Sequence, residues 1–442
     1  MQLVDLSRKA ASGEIDTVIV GFCDMQGRLQ GKRFTANHFL NEIVDNGTEG
    51  CEYLLAVDVE MNTVSGYEHA SWDTGYGDFV MRPDLSTLRL LPWLPGTALC
   101  LADIVDHDGV GVAVSPRQVL QRQLNRLAER GLYARSATEL EFCVFEETYE
   151  QAWDRGYTDL TPANRYNVDY SILGATKVEP LIHRIRNEMG GAGMVVESSK
   201  GECNLGQHEV NLRHELTLTT ADNHVIFKNG VKEIASQEGC SITFMAKYNE
   251  LEGNSCHVHM SLEDANGDNA FAADDAMFGS FVQGLIVTLR ELTLFHAPHV
   301  NSYKRFQARL FAPTSVAWGD DNRTAAVRVI GHGASRRLEL RLPGADVNPY
   351  ISLAAMIAGG LFGVESGLKL EAPVEGNSDE ADSQRVPSTI SEAAELTAAS
   401  KIARDAFGSG VVDHYLNAAK VELDSFNSSV TDWERVRSFE RL

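Results

Sequence analysis

The sequence predicts an α+β protein built from a small N-terminal unit and a larger C-terminal unit. Strand-like and helix-like patterns alternate irregularly along the 442 residues, and no internal repeat is present. Residues 1–108 contain short strand patterns separated by glycine-rich turns, whereas a helix with proline at its first position begins at Ser115-Pro116. We therefore predict one domain over residues 1–108 and a second over residues 109–442.

The N-terminal unit opens with a hairpin pattern. Residues 16–22 have the apolar composition of a buried strand, a turn follows, and residues 29–34 return as a second strand. Residues 36–46 have helical spacing and stop before Gly47. Short strands and turns fill the rest of this unit.

The C-terminal unit contains many strand patterns as well as helix patterns. Strands are predicted at residues 136–145, 193–200, 207–213, 241–246, 256–262, 326–331 and 337–342. Helices are predicted at residues 115–131, 178–190, 220–238, 279–296, 348–366, 389–407 and 411–426, and from residue 431 to the end.

The charge balance limits the partners that the protein can take. Acidic residues outnumber basic ones by 62 to 39, which gives a net charge of -23, and no basic stripe is present. This balance argues against nucleic acid as a partner, because binding to phosphate backbones requires clustered lysine and arginine. An acidic surface instead favours cations such as metal ions or protonated amines.

The cysteines and the apolar segments indicate a cytoplasmic protein. The seven cysteines are odd in number and form no Cys-x-x-Cys pair, so we predict reduced thiols. The first ten residues lack the apolar core of a signal peptide. Because no stretch of about 18 uncharged apolar residues is present, we expect no membrane span.

One strand carries the first candidate functional residues. In residues 136–145, Glu139 and Glu141 alternate with Leu140 and Phe142, so both carboxylates share one face and the other face is apolar. Two carboxylates on one face repel each other unless a cation lies between them. A solvated strand face is the alternative interpretation.

Two further stretches offer ligands of the same kind. Residues 200–211 contain Glu202 and Glu209 between glycines that permit tight turns, although a polar hairpin is the favoured interpretation of this stretch alone. In residues 256–262, His257, His259 and Ser261 alternate with apolar residues and share one face. A carboxylate-rich set with one histidine is typical of Mg²⁺ or Mn²⁺, and two surface histidines are the alternative.

Arginines gather around a further glutamate. Arg337, Glu339 and Arg341 alternate with leucines, and Arg323 and Arg328 precede them. Guanidinium groups beside carboxylates and metals are what phosphoryl transfer needs, whereas an exposed charge network is the alternative. No phosphate-binding glycine loop is present, so a nucleotide would be bound by metals and arginines.

In combination, these motifs resemble the glutamine synthetase family nearly from end to end. The resemblance rests on Glu139-x-Glu141-Phe142, Gly206-Gln207-x-Glu209, Phe244-Met245-x-Lys247, His257-x-His259-x-Ser261-Leu262, Asn301-Ser302-Tyr303-Lys304-Arg305, Asn322-Arg323, Glu339-x-Arg341-x-Pro343 and Asn348-Pro349-Tyr350. It implies a β-grasp-like N-terminal domain and a catalytic domain with a curved antiparallel sheet.

The resemblance also implies the role of each site residue. One metal ion would be bound by Glu141, Glu202 and Glu209, and another by Glu139, His257 and Glu339, with two or three Mg²⁺ or Mn²⁺ ions in each site. Around ATP it implies catalytic roles for Arg323, Arg328, Arg337 and Glu339, and nucleotide contacts for His214, His259, Ser261, Arg328 and Arg337. Glutamate would be held by Arg305, Arg341 and the backbone of Gly253.

Three departures from the family pattern predict an organic amine as the nucleophile. Phe311 stands where the family has a glutamate that helps to bind ammonium, and Glu252 replaces an asparagine. The loop that carries the ammonium-binding aspartate is replaced by residues 58–63, which contain Asp58 and Glu60. An aromatic ring cannot deprotonate ammonium, but it can line a pocket for a carbon-bearing amine.

We therefore predict an ATP-dependent ligase that joins the γ-carboxylate of glutamate to a small amine, with ethanolamine as the first candidate. A γ-glutamyl phosphate intermediate would lead to a γ-glutamylamide, ADP and phosphate. The alternatives are a γ-glutamylpolyamine synthetase, a glutamine synthetase that uses ammonia, and a non-catalytic structural or regulatory family member. The resemblance further implies a homo-oligomer, a dodecamer of two hexameric rings with active sites shared between adjacent subunits.

Overall fold

The computed structural model describes all residues, 1–442, and contains two β-sheets surrounded by helices. The strands are β1 Thr17–Cys23, β2 Leu29–Thr35, β3 Thr48–Cys51, β4 Asp78–Pro83, β5 Arg89–Leu90, β6 Thr97–Val105, β7 Tyr133–Phe145, β8 Val196–Gly201, β9 Gln207–Leu212, β10 Glu215–Leu216, β11 Ser241–Thr243, β12 Cys256–Glu263, β13 Trp318–Asp320, β14 Val327–Ile330 and β15 Arg337–Leu340.

Sixteen α-helices accompany them: α1 Leu3–Ala11, α2 Ala36–His38, α3 Val44–Asn46, α4 Pro116–Ala128, α5 Tyr149–Asp154, α6 Ile172–Thr176, α7 Glu179–Gly191, α8 Thr217–Gln237, α9 Ala270–Ala273, α10 Asp275–His296, α11 Val300–Tyr303, α12 Pro349–Glu365, α13 Ile390–Ala399, α14 Lys401–Phe407, α15 Ser409–Ser428 and α16 Asp432–Ser438. A π-helical turn, Phe39–Ile43, connects α2 to α3.

The smaller sheet has six strands in the order β2-β1-β6-β4-β3, with β5 paired to β6. Its central pair, β1 and β6, is parallel, and its other pairs are antiparallel. The predicted hairpin is confirmed: Thr17 pairs with Thr35 at one end and Cys23 with Leu29 at the other. This is the β-grasp-like unit that the sequence predicts.

The larger sheet has nine strands in the order β13-β14-β15-β12-β7-β9-β8, and β10 and β11 also pair with β7. Every pair is antiparallel except β13 with β14, and the sheet curls into a half-barrel, as predicted. β7 lies at its centre, so residues that are distant in sequence are brought to the two flanks of one strand.

Helices cover the convex side of the larger sheet with apolar residues. The most extensive contact joins α10 to α12, where Gly284 and Gly363 lie so close that a Cβ on Gly363 would be 2.0 Å from the carbonyl oxygen of Ser280. Helix α10 is long and apolar enough to cross a membrane by length and composition alone, although it carries Arg290 and Glu291. It is a core helix here, because 72% of that apolar window is buried.

A buried ion network connects residues on both sides of the predicted domain boundary. Arg117 of α4 lies 2.7 Å from Asp84 and 3.0 Å from Asp222, whose carboxylate also accepts a hydrogen bond from the Tyr350 hydroxyl. Because such a guanidinium is costly to bury without partners, this network fixes α4 against the end of β4 and against α8. The boundary at residue 108 itself stays a prediction.

The helix predicted at residues 389–407 is wrong in one respect, since it consists of two helices, α13 and α14. The chain is extended at Ser400, whose hydroxyl accepts a hydrogen bond from the Ala403 amide and donates one to Glu291. Serine caps a helix in this way, so a new helix begins there. The short elements α1, α5, α6, α9, α11, β10 and β13 were not predicted from the sequence.

All seven cysteines are free, as predicted. Four of them, Cys23, Cys100, Cys143 and Cys256, lie in the core, and the other three are half-buried. Their thiols therefore act as small apolar groups in this fold.

Candidate active site

The site is built on the polar face of β7. Leu140, Phe142 and Val144 are buried in the apolar core, as the alternating pattern predicts, while Glu139 and Glu141 point toward the concave side. Glu139 pairs in register with His257 on β12, and Glu141 pairs with Glu209 on β9. The two neighbouring strands thus bring one further ligand to each glutamate of β7.

Glu139, His257 and Glu339 form the first ligand group, with their donor atoms within 4.8 Å of one another. The Nδ1 atom of His257 lies 3.2 Å from Oε2 of Glu139 and 3.6 Å from Oε1 of Glu339. Glu339 reaches this place because it pairs in register with His259, two residues beyond His257 on β12. The structure therefore brings together all three residues predicted for one metal.

Glu141, Glu202 and Glu209 form the second ligand group, also within 4.8 Å of one another. One oxygen of Glu141 accepts hydrogen bonds from the Ser255 amide at 2.6 Å and from the Gln207 side chain at 3.2 Å. The loop between β8 and β9 turns at Gly206, whose φ of 67° suits glycine, and this turn brings Glu202 back to Glu209. The predicted second metal group is thus also assembled.

The electrostatics of the second group suit a bound cation. Burial raises the pKa of Glu141 well above its ordinary value, and the charge of Glu202 raises it further. Burial also raises the pKa of Glu209, with Glu139 and Glu141 adding to the effect. Buried carboxylates become protonated when too little positive charge is near, because burying the charged form costs free energy. A divalent ion bound between them offsets this cost.

In the first group the carboxylates are held ionised by neighbouring cationic and hydrogen-bonding groups. Burial opposes ionisation of Glu139, but hydrogen bonds from His257 and His259 outweigh it and hold its pKa below the ordinary range. Burial likewise opposes ionisation of Glu339, yet His257 and Arg341 lower its pKa to about 2. Five carboxylates and one imidazole match the donor preference of Mg²⁺ or Mn²⁺, so the residues present fit two such ions.

Two of the predicted arginines, Arg328 and Arg337, lie on β14 and β15 beside the first ligand group, and Arg323 precedes β14. Arg328 pairs in register with Glu339 and donates a hydrogen bond to its Oε2 at 2.8 Å. Arg337 begins β15, and its guanidinium donates to the Ser335 carbonyl oxygen at 3.3 Å. Arg323 is exposed and has no hydrogen-bond partner. Guanidinium groups in this position can bind the oxygens of a phosphoryl group.

Arg305 and Arg341 are buried on the other side of Glu339. Arg305 donates to the carbonyl oxygens of Leu342 at 2.8 Å and Arg341 at 3.0 Å, while Arg341 contacts Glu339. The Nε atoms of both arginines are buried without a partner. A Cβ on Gly253 would lie 2.4 Å from Cγ of Arg305, so this glycine is required for the close packing.

The predicted nucleotide-binding residues are only partly brought together. His259 lies on the concave face, with Nε2 3.0 Å from Oε1 of Glu139, and Ser261 follows on the same face of β12. His214 is exposed just before β10, which pairs with the beginning of β7, and forms no hydrogen bond to the other residues of the site. It lies at the same end of β7 as Ser261, which pairs with Arg135.

The residues predicted for the amine pocket are scattered within one chain. Phe311 is 60% exposed in the segment after α11, with a φ of 54°. The backbone oxygen of Glu252 accepts a hydrogen bond from Asn204 at 2.6 Å, beside the second ligand group. Asp58 and Glu60 line a cavity that contains none of the six ligand residues, so within one chain they do not belong to this site.

Sequence reasoning missed three residues that support the ligand groups. Lys200 contacts Glu202 and lies 3.6 Å from Asp169, and it is the positive charge that lies closest to the second group. Gln207 fixes Glu141 from β9. Asp321 accepts a hydrogen bond from Nε of Arg328 at 3.0 Å. The sequence offers a signal for two of these residues. Lys200 is two residues before Glu202, and Gln207 is two residues before Glu209, so each shares a strand face with a ligand.

Comparison with known proteins identifies related enzymes over the whole chain. The chain is 60% identical over 441 residues to the γ-glutamylethanolamide synthetase GlnA4 of Streptomyces coelicolor, which covers 99% of this chain and 96% of that protein. It is 35% identical over 435 residues to a glutamate–isopropylamine ligase of a Pseudomonas species, and the match covers 96% of this chain and 95% of that protein.

Solved structures agree with this result. The structure titled apo GmaS without ligand superposes with a TM-score of 0.87 at 27% identity, covering 99% of this chain and 100% of that chain. A GmaS/ADP complex gives the same TM-score, identity and coverage. Residues 113–438 match the family described as glutamine synthetase, catalytic domain. The chain is therefore an enzyme of the glutamine synthetase family.

Proposed function

We propose that this enzyme joins the γ-carboxylate of glutamate to a small organic amine at the expense of ATP, with ethanolamine as the preferred amine. The observation that carries this proposal is the convergence of two ligand groups on β7 beside the buried arginines Arg305 and Arg341. The most similar relative named above is a γ-glutamylethanolamide synthetase, which supports the choice of amine.

Two divalent ions, Mg²⁺ or Mn²⁺, would be held by the two ligand groups defined above. When bound, such ions neutralise the negative charge of ATP phosphates and of the phosphoryl group in transfer. Five of the six side chains are held by strand register, and the turn at Gly206 brings the sixth, Glu202, to Glu209.

Some of the arginines would bind ATP and the others would bind glutamate. Arg323, Arg328 and Arg337 would bind the phosphoryl oxygens, and Arg305 and Arg341 would hold the carboxylate groups of glutamate through donors left free in this structure. His214, His259 and Ser261 would contact the nucleotide. These contacts align the γ-carboxylate of glutamate with the terminal phosphorus of ATP.

The chemistry has two steps. A carboxylate is a poor acyl donor, so its oxygen attacks the γ-phosphorus of ATP, the bond to ADP breaks, and a γ-glutamyl phosphate forms. The amine nitrogen then attacks the acyl carbon, phosphate leaves, and the nitrogen loses a proton. The products are a γ-glutamylamide, ADP and phosphate.

An organic amine is favoured over ammonia because the chain lacks the carboxylate that would bind ammonium. Phe311 occupies that position in the sequence, and its exposed ring can border an apolar pocket. The carbon atoms of an organic amine gain free energy from contact with an apolar surface, and ammonium has no carbon atoms to bury there. Glu252, Asp58 and Glu60 remain proposed contacts of the amine, the last two from an adjacent subunit.

An amine panel tests the proposal. The purified protein is assayed for phosphate release with glutamate, ATP and Mg²⁺ in the presence of ethanolamine, isopropylamine, putrescine or ammonium, and the product is identified by mass. We expect the highest kcat/KM with ethanolamine. The highest value with putrescine would assign a γ-glutamylpolyamine synthetase, and the highest with ammonium a glutamine synthetase. Absence of ATP and metal binding would indicate a non-catalytic protein.

We also propose a cytoplasmic ring-shaped homo-oligomer, a dodecamer of two hexamers. The terminal helix α16 and its flanks leave several apolar residues in water, which a second copy could cover. These residues are Val430, Trp433, Val436, Phe439 and Leu442, exposed by 65%, 68%, 76%, 87% and 98%. Seven free cysteines and the use of ATP suit the cytoplasm. Mass determination by light scattering tests the assembly.

A further inference from the structure

Four amide side chains lie between the second ligand group and the backbone proposed to hold glutamate. Asn204 lies on the turn between β8 and β9, Gln207 begins β9, and Asn249 and Asn254 lie in the loop that precedes β12. Asn204, Gln207 and Asn254 are each 1% exposed, and Asn249 is half-buried. Buried amides need hydrogen-bond partners, so the partners of this cluster show what it holds.

Gln207 contacts both the metal side and the glutamate side of this cluster. Its Nε2 atom lies 3.2 Å from Oε2 of Glu141, 3.0 Å from the carbonyl oxygen of Gly253 and 2.9 Å from Oδ1 of Asn254. Its Oε1 atom accepts a hydrogen bond from the backbone amide of Asn204 at 2.9 Å, which sets the orientation of the side-chain amide. One side chain therefore joins a metal-ligand carboxylate to the residue proposed to contact glutamate.

The donors of Gln207 are fewer than the acceptors that face them. A side-chain amide has two N–H groups, whereas three acceptors lie within hydrogen-bond distance of this Nε2 atom. The oxygen of Glu141 therefore competes with Gly253 and Asn254 for the same two hydrogens. That oxygen also accepts a hydrogen bond from the Ser255 amide at 2.6 Å, so it does not depend on Gln207 alone.

Gly253 is held through its carbonyl group and keeps its amide free. The residue is buried, yet its amide donates no hydrogen bond, although nearly all buried amides in folded proteins are paired. The next amide, that of Asn254, donates to the carbonyl oxygen of Ala246 at 2.9 Å. The unpaired amide of Gly253, close to the side chain of Arg305, suits a ligand that accepts hydrogen bonds.

We propose that Gln207 is a positioning residue that transmits metal binding at Glu141 to the backbone of Gly253 and so strengthens the binding of glutamate. When Glu141 binds a metal ion, the lone pairs of its carboxylate are engaged, and the two N–H groups of Gln207 are left to Gly253 and Asn254. This pairing fixes the loop with the Gly253 amide free for glutamate. The inference deepens the proposed function and rests on its glutamate site.

Asn204 holds the same loop without a hydrogen bond to a metal ligand. Its Nδ2 atom donates to the carbonyl oxygen of Glu252 at 2.6 Å and to Oδ1 of Asn249 at 2.8 Å. Asn204→Ala therefore loosens the loop but leaves the connection between Gln207 and Glu141 in place. It is the matched control for Gln207→Met, which keeps an unbranched side chain of similar length and removes both donors.

Calorimetry of the full-length protein measures the coupling. Glutamate is titrated without ATP, with and without about 10 mM Mg²⁺, and the ratio of the two Kd values is the coupling factor. We expect a factor of at least about ten in the wild type and below about three in Gln207→Met. Asn204→Ala should weaken glutamate binding in both conditions and keep the wild-type factor. A wild-type factor in Gln207→Met, or an equal loss in both variants, overturns the proposal.

Hydrogen exchange tests the metal half of the proposal in the unsubstituted protein without glutamate. Exchange of the peptide that covers residues 249–254 is compared with and without Mg²⁺, and a peptide from helix α1 is the internal control. We expect Mg²⁺ to slow exchange of the loop at least about threefold and to leave α1 unchanged. No slowing of the loop overturns the proposal. The amine panel reports the proposed function separately, because turnover with glutamate and an amine does not require that Gln207 carry the coupling.

Discussion

His257 and Glu139 lie directly opposite each other on β12 and β7, with Nδ1 of the histidine 3.2 Å from Oε2 of the glutamate. The two residues are 118 positions apart in the chain, and only their strand register brings them together. Nε2 of the same histidine is buried without a partner. A pair placed so closely beside Glu339 is suited to share a cation.

Removal of one ligand is expected to stop turnover. Glu339→Ala should lower kcat for phosphate release by about 10³-fold or more, because the first ligand group loses the carboxylate that joins it to Arg328. The measurement is steady-state phosphate release with glutamate, ATP and ethanolamine. Glu197→Ala, on an exposed position of β8, is the matched control and should retain full activity. A turnover within tenfold of the wild type would contradict the metal assignment.

Removal of metal is expected to make stability depend on pH. Glu141 and Glu209 have raised pKa values in the folded protein, so the folded state binds more protons than the unfolded state between the ordinary and the raised pKa. The free energy of unfolding of the metal-free protein should therefore fall as the pH rises from about 5 to about 9.

Thermal unfolding with and without Mg²⁺ measures this effect. The Tm of the metal-free protein should decrease over that pH range, and added Mg²⁺ should restore it most at the high end, where the carboxylates are charged. A double variant, Glu141→Gln with Glu209→Gln, should lose both the pH dependence and the restoration. A Tm that rises with pH in the metal-free protein would refute the raised pKa values.

Phe311 is expected to control the choice of nucleophile. Phe311→Glu introduces a carboxylate where the family resemblance implies an ammonium-binding glutamate, so the ratio of kcat/KM for ethanolamine to that for ammonium should fall at least about tenfold. Folding should be unaffected, because the ring is 60% exposed. Phe311→Leu keeps an apolar side chain and should leave the ratio close to that of the wild type. An unchanged ratio for the glutamate variant would exclude Phe311 from the amine pocket.

Gly253 is expected to be essential for glutamate binding. In Gly253→Ala the new Cβ would lie 2.4 Å from Cγ of Arg305 and 2.4 Å from the carbonyl oxygen of Ala246, so the arginine must move. The KM for glutamate should rise about tenfold while the KM for ATP changes little. Gly410→Ala, where a Cβ has open space, is the control. Equal changes in both KM values would indicate a general loss of structure instead.

The sequence by itself determined which side chains share a face. The two-residue period of β7 separates Glu139 and Glu141 from Leu140 and Phe142, and the same period on β12 places His257, His259 and Ser261 together. Family motifs then assigned the six metal ligands, all of which the structure brings into two groups. These features are local or repeat along the chain, so they can be read without coordinates.

Only the tertiary structure decided which faces meet and what surrounds them. Strand register joins Glu141 to Glu209 and Arg328 to Glu339, and it depends on packing across the whole sheet. Burial decides that Glu141 and Glu209 resist ionisation, and the turn at Gly206 brings Glu202 back to Glu209. The position of Asp58 and Glu60 in a separate cavity likewise follows from long-range packing, which no local pattern encodes.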